Sequence, residues 1–69
     1  MYRQKVESSN LASIGYDKEN EILEIEFNHG GIYQYFDVPI EEYKALMNAD
    51  SHGSYFHHNI RDVYEYEKL

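Results

Sequence analysis

Histidine, serine and acidic side chains hold the chemical potential of this chain, and their spacing decides what they can do. His52, His57 and His58 stand near one another, with His29 further back. Metal ligands on one helix share a face when they lie about four residues apart. Separations of five and six do not give that arrangement, so the histidines are read as exposed and solvated, and no metal or other cofactor is expected. Ser8, Ser9, Ser13, Ser51 and Ser54 are the hydroxyl nucleophiles. None lies in a strand–turn–helix elbow between glycines, the setting that bares a nucleophilic serine. Ser51 reads as a helix cap and Ser8-Ser9-Asn10 as a turn. Glu24 and Glu26 alternate outward along a strand, which predicts a solvated face with no apolar pocket to raise one carboxyl for acid–base work. Gly30-Gly31 is too short to cradle a phosphate and suits a hairpin. These residues form no catalytic constellation, and the chain is not expected to be an enzyme.

Binding is the chemistry that remains. In IYQYFDVP (residues 32–39), strand alternation puts Tyr33 and Tyr35 on one face and Ile32, Gln34 and Phe36 on the other. One reading turns the two tyrosines inward beneath helices, with their hydroxyls bonding at the rim. The other exposes them beside Tyr16 as a stacking platform of the kind that single-stranded nucleic acid uses. The inward reading is favoured, because a domain of 69 residues needs nearly all its aromatic side chains for core. Arg3, Lys5 and Arg61 are the basic groups that would support the outward one if they converged on the rings.

The elements that must position these residues follow from periodicity. Residues 21–27, EILEIEF, alternate with Leu23, Ile25 and Phe27 on one side, a half-buried strand. Residues 31–36 pair with it across Asn28-His29-Gly30-Gly31. Upstream, LASIGYD places Ala12, Ile14 and Tyr16 together and turns at Asp17-Lys18-Glu19-Asn20. Residues 3–7 form either a short edge strand with Val6 inward or an extended arm. After Pro39, which suits a first helical turn, Ile40, Tyr43, Leu46 and Met47 recur at helical spacing up to Asn48-Ala49-Asp50. Ser51 caps a second helix through about residue 59, with Tyr55, Phe56 and Ile60 on one face. Gly53 inside that helix implies close packing against another element. The tail DVYEYEKL either adds a short strand or stays a loose acidic end. The fold class is therefore α+β: a three- to four-stranded antiparallel meander followed by two short helices packed on one face.

Composition bounds the rest. A single domain spanning residues 1–69 buries only about 60% of its unfolded surface. With no cysteine to staple it, stability must come from the 42% of residues that are hydrophobic and the 16% that are aromatic. A net charge of −7 disfavours general nucleic-acid binding and adsorption to anionic membranes. No apolar run reaches the length of a membrane span, so a cytoplasmic location is expected.

The blocks SSNLASIGYD, IYQYFDVP, LMNADSHGSYF and NIR, in that order and spacing, resemble the KTSC domain family over nearly the whole chain. Tyr33-Gln34-Tyr35 is similar to its central Tyr-x-Tyr motif. Ser8, Ser9, Gly15 and Tyr16 match its N-terminal block, and Ser51, Gly53, Phe56, Ile60 and Arg61 its C-terminal one. The resemblance implies a small domain found at the C-terminus of some lysyl-tRNA synthetases and as free-standing bacterial and phage proteins, the free-standing kind being nearer to this chain. It brings no established activity, and through the synthetase it suggests RNA binding. His57-His58 departs from the residues often found there and reads as variable surface.

Two functions are carried forward. The first is a non-enzymatic interaction module that presents Ser8, Ser9, Tyr16, Tyr33, Tyr35 and Arg61 to a protein partner or larger assembly. The alternative is an RNA or single-stranded nucleic-acid binding domain using Tyr33, Tyr35 and Arg61. A hydrolase or metal site built on the histidines ranks below both.

Overall fold

In the computed structural model, which describes residues 1–69, the elements run β1 (Arg3–Lys5), β2 (Leu11–Asp17), β3 (Ile22–Phe27), β4 (Ile32–Tyr35), α1 (Ile40–Asn48), α2 (His52–Asn59) and β5 (Tyr66–Lys68). The strands form one antiparallel sheet in sequence order. Local chemistry makes the turns. The Asp17 carboxylate accepts from the backbone N–H of Glu19 and Asn20 and from the Asn20 side chain, closing the β2–β3 connection. Gly30 and Gly31 adopt φ of +96° and +91°, which favours glycine, and return the chain into β4.

The α+β architecture agrees with the sequence reading, but the sheet has five strands, because Tyr66–Lys68 of the tail pairs with β4 along its free edge. A second difference lies in β2. Leu11 pairs with Phe27 and Ser13 with Glu26, so Ala12 is the extra residue of a β-bulge. Leu11 and not Ala12 therefore joins Ile14 and Tyr16 on the inner face. The bulge exchanges a small side chain for a large one at a core position, where complete burial of a leucine contributes roughly 1.5–3 kcal/mol.

Leu11, Ile14, Leu23, Ile25 and Tyr35 from the sheet meet Val38, Leu46 of α1, Phe56 of α2 and Ile60 in a single core. Pro39 is extended and forms the N-cap of α1, one step before the helical turn expected for it. The Ser51 hydroxyl accepts from the Ser54 N–H and caps α2. At Gly53 an added Cβ would lie 3.3 Å from Ser8 Oγ and Asn10 Nδ2, so α2 sits directly on the Ser8–Asn10 turn. His52, expected to be solvated, is half-buried and donates from Nδ1 to the Leu46 carbonyl at 2.9 Å, joining the two helices. Glu42 ties them further by accepting from the Tyr55 and Tyr64 hydroxyls. The bond to this carboxylate pushes the Tyr55 phenol up to about 12.

The outer sheet face corrects another expectation. Glu24 does alternate outward, yet it is only 5% exposed. Arg3 crosses the face of Gly15 and donates to Glu24 Oε2 at 2.5 Å, while Gln34 donates to Oε1 at 2.8 Å. Arg3 Nε also donates to Ser13 Oγ, which in turn donates to Glu26. Strand register brings Arg3, Gly15, Glu24 and Gln34 into one row across four strands. The passage is open because Gly15 lacks a side chain: a Cβ there would stand 2.6 Å from the Tyr2 carbonyl and 3.0 Å from Arg3 Cγ.

Candidate functional site

Tyr33 and Tyr35 pair with Ile25 and Leu23 and so share the inner face, as favoured from the sequence. They are not completely covered. α2 lies over one side of them and β5 runs along the other, leaving a groove of about 430 Å³ between. Five aromatic rings form a closed circuit at this place. Phe27 meets Tyr33 edge-on at 5.3 Å, Tyr33 meets Tyr66 at 5.8 Å, and Tyr66 meets Tyr35 at 5.6 Å. Phe56 of α2 closes it, at 5.4 Å from both Tyr35 and Phe27. His29, from the hairpin turn, stacks on Phe27 at 5.4 Å. Edge-to-face contacts of this kind contribute roughly 0.5–1.5 kcal/mol each beyond area burial, so the circuit is a stiff floor.

The polar groups of the groove are few. Along its α2 side stand His57, Arg61 and Asp62, and Arg61 Nη1 donates to His57 Nδ1 at 3.1 Å, which leaves the rest of the guanidinium free. On the floor, Tyr35 is 4% exposed. Every side-chain nitrogen or oxygen wholly removed from solvent has a hydrogen-bond partner. The Tyr35 hydroxyl makes no such bond within the chain, so it keeps its access to the groove that the residue lines. Burial, then the neighbouring Tyr66 and Tyr33, push this phenol up to about 12, so it is a proton donor at neutral pH. The Arg61 charge acts on it in the opposite direction.

Of the residues singled out from sequence, Tyr33, Tyr35 and Arg61 come together here. Ser8 lies behind the far wall. Its hydroxyl accepts from the N–H of Asn10 and Leu11, the turn expected, and rests against Gly53. Ser9 is exposed in that turn. Tyr16 stands apart: it stacks on Tyr43 of α1 at 4.8 Å and donates to the Val38 carbonyl at 2.6 Å. It does not join a platform with Tyr33 and Tyr35. Arg3 and Lys5 belong to β1, at the opposite edge of the sheet from the groove, and Arg3 is engaged with Glu24. Phe27, Phe56, Tyr66 and His29 were not foreseen in the site. The alternation of Tyr64 and Tyr66 in the tail was the available clue for Tyr66. No group of three or more His, Asp or Glu side chains lies close enough together to hold a metal ion, and no helix is long and apolar enough to cross a membrane.

The chain is similar in sequence and fold to known proteins. The crystal structure of a KTSC domain protein from Yersinia pestis superposes with a TM-score of 0.97 at 41% identity, covering 99% of this chain and 96% of that one. An uncharacterized protein of Stutzerimonas stutzeri is 50% identical over 56 residues, 81% of this chain and 79% of its own. A lysine–tRNA ligase of Nostoc sp. is 40% identical over 65 residues, which are 94% of this chain but only 12% of the ligase. The model of the KTSC domain matches residues 7–64. The chain belongs to the KTSC domain family.

Proposed function

We propose that the chain is a non-enzymatic binding module of the cytoplasm, which holds a segment of a protein partner or larger assembly in the groove between α2 and β5. The observation that carries this reading is the aromatic circuit left open over Tyr33 and Tyr66, with Tyr66 56% exposed. Tyrosines that combine rigid apolar area with a wet polar end are the side chains most used as anchors at protein interfaces. The serines support it from the other direction, since Ser8, Ser13 and Ser51 are each engaged in a turn, a polar network or a helix cap.

A nucleic-acid reading draws on one specific observation: Tyr33 and Arg61 line the same groove, and a matching segment occurs within a lysine–tRNA ligase. Against it stands the charge of −7. Each further phosphate of a bound strand meets that field, and neither Arg3 nor Lys5 is at hand to offset it.

A photo-crosslinking residue placed at Tyr66 tests both in cells of the source organism, with the same residue at Tyr2, just before the far edge strand, as control. Protein adducts formed at Tyr66 and absent at Tyr2 support the module. RNA adducts at Tyr66 favour the second reading instead. Equal labelling at both positions, or none at either, contradicts a groove interface.

A further inference from the structure

Resting on the binding-module reading, we infer that the groove is specific for a chain end: an aromatic C-terminal residue of the partner, whose ring lies on Tyr33 and Tyr66 and whose carboxylate is held by the Tyr35 hydroxyl and Arg61. Three features converge on this occupant.

The first is the unused donor. Tyr35 is almost wholly buried, yet its hydroxyl has no partner in the chain and opens on the groove. This hydroxyl reaches solvent at the groove, so a molecule seated there meets it as a free donor. The phenol stays protonated at neutral pH, so its complement is an acceptor.

The second is the local charge. The guanidinium of Arg61 lines the same groove as that hydroxyl, with the Asp62 carboxylate also on its rim. With one N–H directed to His57, Arg61 still offers donors to an oxygen anion. A single carboxylate encounters the repulsion of a −7 molecule once, whereas a polyanion encounters it at every charge. The local donors thus favour one negative charge and the global field disfavours many.

The third is size. At about 430 Å³ the groove lies at the small end of the range of roughly 300–1,000 Å³ usual for ligand sites. That is room for a terminal residue, and Tyr35 and Arg61 both line it.

The test uses the whole chain and N-acetyl-alanyl-phenylalanine as the probe, compared with the same dipeptide as its C-terminal amide. Binding is followed by shifts of the backbone and aromatic resonances up to millimolar probe. The acid is expected to move Tyr33, Tyr66 and Arg61, and to bind about tenfold or more tighter than the amide, as loss of a charge-assisted hydrogen bond implies. In Tyr35→Phe the acid should lose that advantage while the amide is unaffected, and in Asp62→Asn the acid should bind more tightly. Equal binding of acid and amide overturns the carboxylate role but leaves a peptide-binding groove intact. Absence of shifts from either probe, or shifts confined to other surfaces, overturns the inference. Protein crosslinks at Tyr66 would then show that the module reading survives it.

Discussion

The two faces of the sheet each carry a polar side chain on a nearly buried residue, and they treat it in opposite ways. On the outer face Glu24 is 5% exposed, and both its oxygens are occupied, by Arg3 and Gln34. On the inner face Tyr35 is 4% exposed and its hydroxyl is unoccupied. The outer network is closed within the chain and spans β1 to β4. The groove stays open to solvent. Buried polar groups that satisfy one another hold strands in register, whereas a hydroxyl that faces a groove stays free to bond solvent or a ligand. On the proposed reading, the outer surface is architecture and the inner groove serves recognition.

The largest effect should come from breaking the closed side. Glu24→Ala strands Arg3 and Gln34 and costs about 3 kcal/mol. A domain of this size loses roughly 4–8 °C per kcal/mol, so the thermal midpoint should fall by more than about 10 °C. A midpoint within a few degrees of the parent would mean that the network is a surface ornament. Gly15→Ala comes next, because its Cβ would meet the Tyr2 carbonyl backbone at 2.6 Å. The β1 edge must shift, at about 2 kcal/mol, which urea denaturation measures. An unchanged midpoint would show that Arg3 needs no bare backbone to reach Glu24.

Acid sharpens the same contrast. Burial pushes the Glu24 carboxyl up, but the bonds from Gln34 and Arg3 and the Arg3 charge prevail and hold it below its ordinary 4.5. Its ionised form therefore stabilises the fold in full above about pH 4.5, and that contribution is lost as pH falls through the lower folded value. Between neutral pH and about pH 3, Glu24→Gln should show a shallower loss of stability than the parent. Parallel curves for the two proteins would remove Glu24 from the acid response.

Much of the architecture was legible because it is written locally. The alternation of Leu23, Ile25 and Phe27, the glycines of the hairpin and the Ser51 cap each depend on a few adjacent residues, and Gly53 inside a helix signals close packing without naming its distant partner. What was not legible depends on partners far along the chain. Glu24 reads as solvated until β1 is placed two strands away and Gly15 between them lets Arg3 across. Ala12 reads as inward because alternation carries no sign of a bulge. Tyr16 and Tyr33 belong to similar patterns, yet the helices cover them differently: Tyr43 seals the first, whereas the second faces an opening. Tyr66 enters the site only because a three-residue strand from the tail returns to β4.

The equilibrium stability of Tyr35→Phe tests the central contrast most directly, since it removes one oxygen and nothing else. If the hydroxyl is held in readiness for a ligand, the variant should unfold within about 0.5 kcal/mol of the parent. A loss of about 1 kcal/mol or more, the size of a hydrogen bond made inside the protein, would show that the fold already uses that hydroxyl and that the groove floor is as closed as the outer face.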